Sequence, residues 1–206
     1  MRYHLTLEKY GASTCTYLTK LSLSENKLKA LPPLVALERI TEIDVSQKSP
    51  NQLNEFPIIR PGNTFKSLLL SFNKIQTLQD DRLTHLSSLT ILTLRENKLT
   101  MLPDSIVQLS KLKRLDLTNN DLSSLPYMLG RFESLHSLLL DGNPLKSIRR
   151  DILQKGTVEL LKYLRSRIKE PEEHVSPPTS PSSLKIPSSS YKEGSLLGTW
   201  PERKLC

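Results

Sequence analysis

The sequence predicts an α/β solenoid. Short parallel strands would form one curved sheet on the concave side, with short helical or irregular segments on the convex side and a capping helix at the C-terminal end. Three observations carry this. Asparagines recur at 26, 51, 73, 97, 120 and 143, at intervals of 25, 22, 24, 23 and 23 residues. Apolar residues keep fixed offsets around each of them. The period then stops after Ile148, where a helical pattern replaces it. A fixed period of this length is the mark of stacked coils, each burying its apolar face on its neighbours.

The frame is clearest over residues 89–112: Leu89, Leu92, Leu94, Asn97, Leu99, Leu102-Pro103, then Ile106 and Leu109, with Leu112 opening the next copy. It reads L-x-x-L-x-L-x-x-N-x-L, the signature of a leucine-rich repeat. The alternation Leu92, Thr93, Leu94 suits a strand that buries every second side chain. Asn97 stands where the chain leaves that strand, and its amide can bond the backbone of neighbouring coils. The first copy runs Leu18, Leu21, Leu23, Asn26, Leu28, Leu31-Pro32, and the second Ile40, Ile43, Val45, Asn51, Leu53, Phe56-Pro57. The third is Phe65, Leu68, Leu70, Asn73, Ile75, Leu78. The fifth is Leu112, Leu115, Leu117, Asn120, Leu122, Leu125-Pro126, and the sixth Leu135, Leu138, Leu140, Asn143, Leu145, Ile148. Asn26, Asn51, Asn73, Asn97, Asn120 and Asn143 are thus expected to form a structural asparagine ladder.

Four segments follow from this frame. Residues 1–17 are a frayed or partial N-terminal segment, because no asparagine follows Leu5 and Leu7 at the right distance. Residues 18–148 hold about six repeats; in the second, Lys48, Ser49 and Pro50 insert at the strand exit. On the convex side SIVQL and HLSSL each suggest one helical turn, and IIRPGNT an irregular stretch. Proline after the inward apolar residue in four of the six copies favours an extended corner. Residues 149–169 are a helical cap: a short turn, a stop at Gly156, and a helix opened by Thr157 with Val158, Leu161, Leu164 and Ile168 as its apolar stripe. Residues 170–206, where 14 of 37 are Ser or Pro, bury too little to offset ordering and are expected to be a disordered tail.

The net charge of +8 is uneven. Residues 1–145 carry 17 basic and 14 acidic side chains, residues 146–169 carry 8 and 2, and the remainder 4 and 5. The N-terminus has no uninterrupted apolar run of the kind a signal peptide or membrane span needs. Cys15 and Cys206 are the two cysteines, far apart, so free thiols and a cytoplasmic (or nuclear) location are expected. His4, His85, His136 and His174 are too scattered for a metal motif, and neither a phosphate-binding glycine loop nor a nucleophile elbow is present. No catalysis, cofactor, metal or small-molecule substrate is expected.

Over residues 18–148 the chain resembles intracellular Ras-suppressor-type leucine-rich repeats. The segment DGNPLKSIRRDILQKGTVELLKYLRSRI resembles the junction at which, in the family of leucine-rich repeat-containing protein 40, an array ends in a helix. The resemblance implies a curved intracellular binding scaffold without catalytic residues. Chains of that family are longer, and here the array starts late and ends in a Ser/Pro-rich segment, as in a fragment or short form.

Function is sought on the concave face, where the residues between the leucines point. In chain order the positions between the central apolar pair are Ser22, Asp44, Leu69, Thr93, Asp116 and Leu139, and those before them Lys20, Glu42, Ser67, Ile91, Arg114 and Ser137. Leu69, Phe72 and Ile91 gather mid-array, bordered by Arg95, Arg114 and Asp116. An apolar centre with a charged rim is how protein-binding hot spots are commonly built. The competing reading of Phe72 packs it into a spine between coils. The expected function is therefore a non-enzymatic scaffold whose concave face binds a protein partner. The alternative is a nucleic-acid or anionic-membrane binder through the basic cap (Arg149, Arg150, Lys155, Lys162, Arg165, Arg167, Lys169). It is disfavoured because only Tyr163 interleaves those charges and a capping helix needs a solvated face.

Overall fold

The computed structural model describes residues 17–24, 28–31, 39–46, 52–58 and 65–168. Asn26, Asn51, the insertion at 48–50, both cysteines, Lys169 and the segments 1–16 and 170–206 lie outside the described residues.

Among the described residues six strands of three residues form one parallel sheet in chain order. They are β1 (Lys20–Ser22), β2 (Glu42–Asp44), β3 (Ser67–Leu69), β4 (Ile91–Thr93), β5 (Arg114–Asp116) and β6 (Ser137–Leu139). Parallel neighbours require a crossover between them, and the remainder of each repeat supplies it. The middle residue of every strand points inward: Leu21, Ile43, Leu68, Leu92, Leu115 and Leu138 are all buried, and all six are register partners. Period-two alternation therefore leaves the flanking residues on the outer face. Behind the sheet, Leu23, Val45, Leu70, Leu94 and Leu117 form the next buried column, and Leu53, Ile75, Leu99 and Leu122 the one after it.

The asparagines close the turn between these columns. Asn97 Oδ1 accepts the Ile75 N–H at 3.0 Å, and its Nδ2 donates to the carbonyls of Leu70 and Leu94 at 2.9 and 3.0 Å. Asn120 does the same one coil on, from Leu99 N–H to the carbonyls of Leu94 and Leu117. Asn73 accepts from Leu53 N–H and donates to Val45 and Leu70. Each amide thus joins two successive coils, and buried backbone groups that no strand can reach are satisfied. Asn73, Asn97 and Asn120 are buried; Asn143, with the same bonds to Leu122 N–H, Leu117 and Leu140, is half-buried because no further coil covers it.

Among the described residues the convex side carries single turns. Pro103 and Pro126 are extended (φ −74° and −66°) and open 3-10 turns at Asp104–Gln108 and Tyr127–Arg131. In the third repeat the helical turn is α1 (Asp80–Leu83), ahead of HLSSL, which itself forms non-helical turns. The acidic pair Asp80-Asp81 favours a helix start there.

The array closes on α2 (Arg150–Gln154) and α3 (Thr157–Arg165). Two sequence expectations are corrected here. Gly156, at φ 89°, occupies the N-cap position of α3, and Thr157 turns instead to the sheet, where its Oγ1 accepts the Leu138 N–H of the edge strand at 3.0 Å. The buried face of α3 is Leu160, Leu161 and Leu164, while Val158 is 61% exposed. At about 100° per residue Val158 lies roughly 115° from the middle of that face. Gly130 lets α3 approach: a Cβ there would lie 2.2 Å from Arg165 N, and Arg165 Nε donates to the Gly130 carbonyl at 2.7 Å.

Candidate functional site on the strand face

The register places the candidate residues in a grid. Leu69 is opposite Thr93, and Thr93 opposite Asp116; Ile91 is opposite Ser67 on one side and Arg114 on the other. Leu69 and Ile91 therefore share a face on adjacent strands but stand diagonally, two residues out of register. Both are half-buried, as is Phe72, and none of the three is among the apolar residues that make or pack against the core. Among the described residues Phe72 therefore stands outside the core cluster.

Phe72 owes its place to an unusual backbone. It has φ 61°, and the equivalent residues Glu96, Asn119 and Gly142 have φ 55°, 55° and 73°. This left-handed column, directly before each ladder asparagine, turns the chain off the strand while the N–H of Phe72, Glu96 and Asn119 reaches the next coil at Arg95, Thr118 and Asp141. Glycine and asparagine tolerate that conformation; phenylalanine and glutamate seldom adopt it. The presence of Asn119 and Gly142 in the column was the sequence signal for it. Gly142 is doubly required, since a Cβ there would sit 1.9 Å from Asn119 Oδ1. Glu96 is drawn into the site by this geometry: it accepts from Asn119 Nδ2 and lies 3.9 Å from Arg95.

The charged border divides in two. Arg95 and Arg114 keep side chains 48% and 49% exposed. Asp116, expected on the exposed rim, is buried: its Oδ1 accepts the Thr118 N–H at 3.1 Å and its Oδ2 lies 3.8 Å from Arg114. It orients Arg114 and offers a partner little surface, because a short carboxylate beside the backbone turn finds its nearest donor in the chain itself. Thr93, between Leu69 and Asp116, accepts from Ser71 Oγ at 3.2 Å and completes the floor of the patch.

The basic cap is arranged differently. Arg149 pairs with Asp151 at 3.0 Å, Lys162 with Glu159 at 2.8 Å, Arg165 is held by the Gly130 carbonyl, and the Arg167 guanidinium lies over the Tyr163 ring. The Lys162 ammonium, with Lys155 adding to it, holds the Glu159 carboxyl below its usual range. Four of the seven basic side chains thus have local partners. Among the described residues no cluster of three metal-binding side chains occurs, and no helix is long and apolar enough to cross a membrane.

Comparison with known proteins agrees with the fold. The leucine-rich repeat family model matches residues 64–122 and 94–145. The fold is a leucine-rich-repeat solenoid. A solved leucine-rich-repeat protein of Leptospira interrogans is 28% identical, with 75% of this chain and 43% of that chain covered and a TM-score of 0.50. A chain of the Drosophila Toll–Spatzle complex is 26% identical, with 64% and 18% covered and a TM-score of 0.53. The leucine-rich-repeat array described here therefore spans less than half the length of either relative.

Proposed function

We propose that this leucine-rich-repeat array is a non-enzymatic scaffold that binds a protein partner through its strand face, at Leu69, Phe72, Ile91, Arg95 and Arg114, with Asp116 in support. The observation that carries the reading is the placing of three apolar side chains of two neighbouring coils on the outer face, half-buried and outside the core cluster of the described residues. Apolar area left there gains from burial against a second surface. That one structural relative is part of a protein complex, Toll–Spatzle, is in keeping with a recognition role. The relationship to leucine-rich repeat-containing protein 40 and a cytoplasmic (or nuclear) setting belong to the same reading. The basic cap takes second place because local partners occupy most of its charges.

The test is Leu69→Glu with Ile91→Glu, compared with the parent by cross-linking in cell extract and mass spectrometry. Both side chains point away from the core, so the fold should persist while the principal captured protein is lost. Arg150→Glu with Lys155→Glu is the cap control, chosen because Arg165 is committed to the Gly130 carbonyl. Loss of the partner by the cap variant alone would overturn the strand-face reading, and binding that weakens steeply with salt would point to a counterion-driven ligand instead.

A further inference from the structure

Phe72 stands where the fold asks for glycine or asparagine. Its column turns left-handed in four successive coils, and there the Cβ of an L-residue crowds the following carbonyl oxygen. Gly142 has no Cβ and Asn119 is of the type that tolerates this conformation, whereas Phe72 is bulky and its ring lies outside the core. The side chain is half-buried, short of the full burial of the core leucines. Strain of this kind collects at binding sites, where the residue is useful for something other than folding.

The surroundings define what it would meet. The Phe72 N–H bonds the Arg95 carbonyl at 2.9 Å, which ties the two residues across neighbouring coils, and Arg114 is the register partner of Ile91. The two guanidiniums are about half-exposed, and neither donates a hydrogen bond to a described residue; their nearest carboxylates stand off at 3.9 and 3.8 Å. Half-exposed guanidiniums whose nearest described carboxylates stand beyond hydrogen-bond reach suit a further carboxylate. From the row of Ile91 and Arg114 to that of Arg95 is four residues along the strand, about 13 Å. Resting on the function proposed above, we infer that the strand face takes an extended acidic–apolar segment of a protein. Its two carboxylates, about four residues apart, would be held by Arg95 and Arg114, and the apolar residues between them would be anchored on Phe72, Leu69 and Ile91.

Two measurements on the full chain test this. The first is thermal denaturation of Phe72→Asn and Phe72→Gly. Relief of the backbone leaves the midpoint unchanged or raises it by about 2–4 °C; a fall of more than about 5 °C in both variants would make Phe72 a structural residue. The second is fluorescence polarisation with a fluorescein-labelled peptide Gly-Asp-Leu-Tyr-Leu-Glu-Gly, beside the same peptide carrying Asn and Gln in place of Asp and Glu. The acidic peptide binds the parent more tightly. Phe72→Asn weakens it by about tenfold, the loss of one anchor, and Arg95→Gln with Arg114→Gln removes the preference for acid. Equal binding of the two peptides, no binding by the parent, or full binding by Phe72→Asn overturns the proposal. If the Leu69→Glu, Ile91→Glu variant loses its captured protein while the acidic peptide fails, the strand face stands as the binding surface and only its acidic ligand falls.

Discussion

Replacing Asn97 by alanine removes one amide that joins two coils. Asn97 is 3% exposed. The substitution leaves the Ile75 N–H, previously bonded at 3.0 Å, with no acceptor. The carbonyls of Leu70 and Leu94 fare better: each also accepts from a second ladder amide, Leu70 from Asn73 at 3.0 Å and Leu94 from Asn120 at 2.9 Å. The main loss is therefore one stranded buried donor with two weakened acceptors, about 2–4 kcal/mol in total. At about 2–4 °C per kcal/mol for a chain of this size, the midpoint should fall by roughly 5–15 °C. Asn143 makes the same bonds, but it is half-buried, so water can replace part of what is lost. Asn143→Ala should therefore cost clearly less than Asn97→Ala or Asn120→Ala. The assay is calorimetry combined with amide hydrogen exchange, which should show the Ile75 amide losing protection first. Equal losses at Asn97 and Asn143, or an Asn97→Ala chain that melts with the parent, would refute the argument that burial of the ladder sets its worth.

Other perturbations are as specific. Gly130→Ala places a Cβ 2.2 Å from Arg165 N and should push α3 off the array, lowering the melting midpoint; Ser123→Ala on the exposed surface is the control and should leave it unchanged. Thr157→Val leaves the Leu138 N–H of the edge strand without its acceptor and should cost about 1–3 kcal/mol, measured by denaturant titration. Deleting residues 171–206 should change the midpoint little if that segment is as unstructured as its composition implies. At Glu159 the hydrogen bond from Lys162 depresses the folded-state pKa. Any stability from this pair is present above the ordinary glutamate range and is lost as pH falls through the lowered value; NMR titration of Glu159 in the parent and in Lys162→Met checks the sign.

The repeat unit was legible because its causes are local. Leucine spacing, alternation across three strand residues, and an asparagine at each strand exit are enough to place β1 to β6 and their columns in register. The sequence also determined which residues face outward, Leu69, Ile91, Arg95 and Arg114 among them, since period-two alternation carries that information. The repeat alignment already set Leu69 and Ile91 in different columns, and the observed register agrees. Neighbouring coils decided the rest. Only the assembled turn shows Asp116 buried against the Thr118 N–H, Phe72 held left-handed beside Arg95, and Glu96 tied to Asn119. At the cap, the pattern found α3 but misplaced Val158 and gave Thr157 the wrong task. The orientation of α3 is set by Gly130, 35 residues upstream of its contact Arg165, and by the edge strand's need for one more acceptor. The amino-acid pattern determined the coil because burial along a repeat is periodic; the tertiary structure decided the site because hydrogen bonds between coils are not.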